Sequence, residues 1–203
     1  MDVRKKKKVL RERIWNLLSK KGIATHPLPC FGRIPNFRGS RKAAENLSKL
    51  EEWRKAKVIF CNPDFAQKHV RRLALLQGKN VVMATPRLKR GYIFLNAKKL
   101  RSLEDKASTI VGAFKYGELI ETPPKPDLIV TGCVAIDVNG NRVGKGGGYG
   151  DKEISTLKKM YGNVTVATTV HDLQIVLNVP TEPHDQKVDI IATPTKVLKI
   201  IRV

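Results

Sequence analysis

Residues 140–151, GNRVGKGGGYGD, put six glycines and the charged side chains of Arg142, Lys145 and Asp151 into a dozen positions. Backbone amides gathered in a glycine-rich turn ahead of a helix form a cradle for an anion, and the positive end of the helix dipole strengthens it. Glycines alone are equally compatible with a flexible hairpin; the flanking cations Arg142 and Lys145 favour phosphate. The spacing excludes two common phosphate loops. In a Walker A loop four residues separate the first glycine from Gly-Lys-Ser/Thr, whereas three separate Gly140 from Gly144, and Lys145 is followed by Gly146. The dinucleotide pattern G-x-G-x-x-G fails because, counted from Gly144 and Gly146, its third glycine is Tyr149.

The elements that must position this loop read as alternating helices and strands. KKKKVLRERIWNLLSKKG carries Val9, Leu10, Ile14, Leu17 and Leu18 at helical spacing, predicting a basic amphipathic helix within residues 1–21 that ends near Gly22. Residues 25–39 are dense in proline and glycine and predict an irregular loop. SRKAAENLSKLEEWRKA predicts one further helix with Ser40 as its N-cap and Ala43, Ala44, Leu47, Leu50 and Trp53 turned inward. The runs KVIFCN, NVVMATP, GYIFLN, LIVTGCVAID, VTVATTV and VDIIATP are rich in Val and Ile with little alternation, the pattern of strands covered on both faces. A helical segment ending at Gly78 separates the first two, making a βαβ unit. The expected fold is α/β: a three-layer, Rossmann-like single domain over residues 1–203, with a mostly parallel central sheet flanked by helices. The glycine loop falls between a strand region and the helix KEISTLKKMYG, where open α/β sheets bind ligands.

The chain of 203 residues suits one such core. No apolar run approaches the ~18–20 residues of a membrane span, and the basic start lacks the apolar stretch of a secretory signal, so a soluble, cytoplasmic protein is expected. Cys30, Cys61 and Cys133 are widely spaced and read as small buried hydrophobes. His26, His69, His171 and His184 show no metal-ligand spacing and receive no catalytic role. The net charge of +21 attracts polyanions, making non-specific nucleic-acid binding a live alternative to a solvated basic surface.

DLIVTGCVAIDVNGNRVGKGGGYGD, residues 127–151, resembles the signature of the 5-formyltetrahydrofolate cyclo-ligases, or methenyltetrahydrofolate synthetases: an Asp-Leu strand, P-G-x-x-F-D, then G-x-R-L-G-x-G-x-G-Y-Y-D. HDLQIVLNVPTEPHDQKVDIIAT, residues 171–193, is similar to that family's ending, and Lys7 to Arg11 match its N-terminal K-x-x-L-R. The chain looks like a divergent member near the synthetase-domain-containing branch. The departures are specific: Thr131 replaces the proline, Ile136 the phenylalanine and Gly150 the second tyrosine, and an acidic position that is usually Glu is Asp64.

The resemblance implies a ligase of one-carbon metabolism that spends ATP, with Mg²⁺, to cyclise 5-formyltetrahydrofolate or a related formyl pterin to the 5,10-methenyl compound. The formyl oxygen is phosphorylated, N10 attacks the activated carbon, and phosphate leaves. On that reading Arg142 and Lys145 act on the phosphates, while Gly144, Gly146, Gly147 and Gly148 supply the cradle. Lys7 and Arg11 reach ATP from the first helix, with Lys5, Lys6 and Lys8 as register alternatives to Lys7. Asp151 takes Mg²⁺, or caps the following helix, or both. Tyr149 lines the nucleotide and folate sides by stacking, or is a half-buried packing residue. Asp64 touches the substrate, or merely forms a turn after Pro63. The alternatives in function are a nucleic-acid-binding protein and a nucleotide-binding regulator reusing the fold.

Overall fold

A computed structural model describes residues 2–86 and 90–201; the outermost positions of the expected 1–203 unit lie outside the described residues. The chain opens with α1 (Val3–Lys20), whose Leu10, Ile14, Trp15 and Leu18 are buried, as the spacing predicts. The expected single helix from Ser40 is instead two, α2 (Ser40–Ser48) and α3 (Glu51–Lys55). The break at extended Leu50 re-aims the chain so that Trp53 is fully buried and its indole N–H donates to Gln77 Oε1 at 2.7 Å. Ser40 is not the N-cap: Gly39, at φ 92°, takes that position and the Ser40 side chain makes no capping bond.

β1 (Val58–Cys61) follows, then a 3₁₀ turn (Phe65–Gln67), α4 (Lys68–Leu76), β2 (Asn80–Ala84), β3 (Tyr92–Leu95), α5 (Glu104–Ala107), α6 (Ile110–Tyr116), β4 (Glu118–Ile120) and β5 (Leu128–Thr131). The second half holds β6 (Ala135–Asp137), β7 (Arg142–Val143), α7 (Tyr149–Tyr161), β8 (Thr165–Thr169), β9 (Ile175–Val176), β10 (Ile190–Ala192) and β11 (Val197–Lys199). The main sheet runs β11-β10-β8-β5-β1-β2-β3-β4. Its centre is parallel, while β3, β4 and β11 extend the edges antiparallel. The run read as LIVTGCVAID divides: β5 belongs to the main sheet and β6 to a small sheet ordered β7-β6-β9.

Side chains alternate between two covered faces, giving three layers. In β1, Ile59 and Cys61 join the core beneath α2–α6, whereas Phe60 packs beside Ile154 and Leu157 of α7. A third cluster seats α1 against the small sheet through Leu10, Ile14, Leu18, Ala135 and Val143. The three cysteines are free and buried, and burial pushes the Cys61 and Cys133 thiols up to about 12 and about 11, so they are inert core groups.

β2 and β5 lie on opposite sides of β1, so the chain's winding reverses between β1 and β5. In an open α/β sheet a crevice forms beyond the carboxyl ends of the strands at such a reversal. Here Asn62 follows β1 and Gly132 follows β5, and the Gly132 amide donates to Asn62 Oδ1 at 3.2 Å across the gap. No helix among the described residues is long and apolar enough to cross a membrane.

Candidate functional site

A cavity of about 850 Å³ opens at this reversal point. The ends of β1, β2 and β5 supply its floor, the glycine loop and the first turns of α7 form one wall, and α1 with residues 182–185 forms another. The glycine loop leaves β7 and turns directly into α7, which begins at Tyr149, earlier than the sequence pattern predicts. Gly148 makes the entry possible: it is the N-cap at φ 67°, a left-handed conformation that L side chains resist. Lys152 donates the first helical bond, to Gly148 O, so the amides of Tyr149, Gly150 and Asp151 precede the helix's own ladder. These amides are the free backbone donors of the α7 N-terminus. Asp151 lies inside the first turn and is not its cap.

Two ion pairs brace the loop. Arg142 sits beneath it, its side chain 2% exposed, and donates to Asp151 Oδ1 at 2.9 Å; the Gln186 amide donates to the same oxygen at 2.9 Å. Arg142 thus braces the first turn of α7 while lining the cavity, and its Nε is buried with no partner among the described residues. Lys145 reaches from the loop to Asp64 Oδ1 at 3.0 Å, which brings the two sequence candidates together across the cavity mouth. Lys145 is about half exposed, so its ammonium remains reachable. Arg11 donates from Nε to Gly144 O at 2.7 Å and ties α1 to the loop.

Lys7 is the member of the lysine run turned inward, and the register is decided by burial: Lys5, Lys6 and Lys8 are exposed. Its ammonium is held by Asp185, at 2.6 and 2.8 Å, and by Glu182, at 2.9 Å. The bond from Lys7 holds the Glu182 carboxyl below the ordinary carboxylate range. Glu182, His184 and Asp185 form the one close group of metal-ligating side chains among the described residues, and Lys7 already sits on both its carboxylates. Asp151 stands apart from that group, with Oδ2 outside the bonds made by Oδ1. This suits Mg²⁺, which takes one or two carboxylates and fills its shell with phosphate oxygens and water.

Tyr149 lines the cavity half-exposed, with Lys152 Nζ 5.9 Å from its ring centre. Gly150 carries no positive φ; what crowds it are side chains from β7 and β5. A Cβ there would lie 3.2 Å from one Arg142 guanidinium nitrogen and 3.4 Å from Thr131 Oγ1. The strut thus occupies the space beside the helix where a second tyrosine would root. Asp137, which matches the signature aspartate, is fully buried and accepts from the Asn139 and Asn141 amides, Asn141 Nδ2 and the Val179 amide; it organises the β6–β7 turn and is not a ligand group.

Sequence reasoning missed Asn62 and Glu153. Glu153, in the second turn of α7, is 6% exposed and accepts from Asn62 Nδ2 at 2.5 Å. Burial pushes its carboxyl up to about 7 against the opposing bond from Asn62. The glutamate falls on the cavity side of an amphipathic helix, a position the periodicity assigns to the core, and that polarity at a core position was the available signal.

Comparison with known proteins bears on what this arrangement serves. The 5-formyltetrahydrofolate cyclo-ligase family model matches residues 3–194. A bovine protein named methenyltetrahydrofolate synthase domain-containing protein is 37% identical over 204 residues, covering 95% of this chain and 53% of that protein. Its human counterpart is 35% identical, with the same coverage of 95% and 53%. The chain spans about half the length of these curated relatives. Two solved structures share the fold. The 5,10-methenyltetrahydrofolate synthetase of Aquifex aeolicus has a TM-score of 0.64 at 22% identity over 97% of this chain and 94% of that one. The synthetase of Mycoplasma pneumoniae has a TM-score of 0.58 at 14% identity, over 93% and 98%. The match to the family model runs from the first turn of α1 past β10 and takes in the cavity with all its walls. The chain belongs to the 5-formyltetrahydrofolate cyclo-ligase family.

Proposed function

We propose that this chain is an ATP-dependent ligase that closes 5-formyltetrahydrofolate, or a related formyl pterin, to the 5,10-methenyl ring. The observation that carries the reading is the glycine loop running into the α7 N-terminus at the sheet's reversal point, with reachable Lys145 beside it. Amides of the first turn of α7 and Lys145 hold the triphosphate, and Arg142 keeps that turn in place through Asp151. Asp151 would hold Mg²⁺ through its uncommitted oxygen, and the ion, when bound, neutralises phosphate charge. A phosphoryl group passes from ATP to the formyl oxygen, releasing ADP; N10 then bonds to the formyl carbon and gives up its proton, and phosphate departs with that oxygen. Catalysis of this type rests on positioning and electrostatics. The cavity walls close on a single unit, which we take to be one domain acting in the cytoplasm.

Incubation with 5-formyltetrahydrofolate, ATP and Mg²⁺ should yield the methenyl product, read by its near-ultraviolet absorbance. ATP binding without product from folate or modified-pterin substrates would reject the ligase reading and favour a nucleotide-binding regulator. One observation favours a second reading, nucleic-acid binding: Lys5, Lys6, Lys8 and Arg13 are exposed on α1 and enter no ion pair among the described residues. Generic attraction of this kind weakens by roughly 10³–10⁵ between 50 and 200 mM salt for six to ten phosphate contacts. A salt-resistant, sequence-selective component would support nucleic acid as the ligand.

A further inference from the structure

Glu153 is a buried carboxyl in the cavity, and the nearby cations that favour its charged form, Arg142 and Lys145, each make their hydrogen bond elsewhere. Arg142 is committed to Asp151 at 2.9 Å and Lys145 to Asp64 at 3.0 Å. Its only hydrogen-bond partner among the described residues is Asn62, which meets Oε2. Asn62 cannot swing away: its Oδ1 accepts from the Gly132 amide at 3.2 Å, and its own carbonyl accepts from fully buried Arg71. The pair is therefore a fixed piece of the cavity floor, built from β1, β5 and α7, with Glu153 Oε1 left over. A carboxyl kept in a core position without a hydrogen-bonded counter-ion costs stability, and such local conflicts concentrate where a ligand is handled.

The remaining walls say which part of a ligand meets it. The amide cradle, Lys145 and Arg11 gather at the loop, so phosphate belongs there, and a phosphate beside Glu153 would face a like charge. The apolar part of the cavity lining includes Phe65, Pro86 and Ile110, suited to a flat ring. We propose that Glu153, held by Asn62, reads the N–H edge of the ligand's heterocycle, the ring N–H and adjacent exocyclic amine of a 2-amino-4-oxopyrimidine such as a pterin carries. This rests on the cyclo-ligase reading above. In its ionised form the group offers only acceptors and matches two neighbouring donors, whereas the amine of adenine is flanked by a ring acceptor that a carboxylate would repel, so binding is read at pH 8, above the carboxyl's titration at about 7.

Binding without turnover tests it, using 5-formyltetrahydrofolate, its 2-desamino analogue and ATP as separate probes on wild type, Glu153→Gln and Glu153→Ala. In the glutamine variant the side-chain carbonyl keeps the Asn62 bond and turns an amide nitrogen toward the ligand's donors. Wild type should bind the desamino analogue roughly 10- to 100-fold more weakly than the parent. Both variants should weaken the parent to a similar degree, lose little more with the analogue, and bind ATP as wild type does. Parent binding unchanged in Glu153→Gln, or equal losses for parent and ATP, would overturn the assignment. If wild type binds ATP but neither pterin, the cyclo-ligase reading falls and takes this inference with it.

Discussion

Replacing Glu153 by glutamine should make the protein more stable at pH 8 and leave it nearly unchanged at pH 5. The folded carboxyl ionises at about 7, against an ordinary value of 4.5, with burial as the main cause and the Asn62 bond opposing it. Between those values the folded chain keeps a proton that the unfolded chain has released, so stability falls as pH rises through the window, and the full penalty is present above about 7. At roughly 1.4 kcal/mol per pH unit the penalty is of order 3 kcal/mol. For a chain of this size that corresponds to about 6–12 °C in melting temperature. Glutamine keeps an acceptor for Asn62 and has no charge to bury, so the measured quantity is the gap between variant and wild-type melting curves across pH 5–8, in chelator-treated protein. The gap should open steadily with pH. Parallel curves would show that Glu153 is not held in the protonated range, and the account of the cavity floor would be wrong.

Three further outcomes follow from the same geometry. Lys145→Ala should weaken ATP binding roughly 10- to 100-fold, read as loss of the ATP-induced rise in melting temperature. Gly150→Ala should change stability by less than about 1 kcal/mol in chemical denaturation, because alanine's helical preference offsets a Cβ placed 3.2 Å from the Arg142 guanidinium, and the larger Gly150→Tyr should destabilise by about 1–3 kcal/mol in the same assay. Asp137→Ala should destabilise by about 3 kcal/mol or more in the same assay, since it strands the buried donors gathered around that carboxylate.

The parallel centre of the sheet was legible because strands covered on both faces read as unbroken Val/Ile runs, and the glycine loop was legible because its conformation demands glycine. Short edge strands β4 and β11 carry mixed residues and gave no comparable signal. The helix break at Leu50 is set by where Trp53 must point, a tertiary demand that helical periodicity cannot express. Asn62 and Glu153 are 91 positions apart and meet only because β1 and α7 converge at the reversal point, so the pair was not legible even though a glutamate at a core position of α7 was a signal by itself. Arg142 was recognisable as a cation beside the loop, but its role as a buried strut depends on the first turn of α7 bringing Asp151 back over β7.

Lys7 and its carboxylate partners stand 175 and 178 positions apart, so the cavity wall they share draws together segments from opposite ends of the described fold. During translation α1 emerges well before residues 182–185, and its inward lysine stays hydrated and unpaired until they follow. That wall cannot close on a nascent fragment ending before residue 182, however well the central strands have paired.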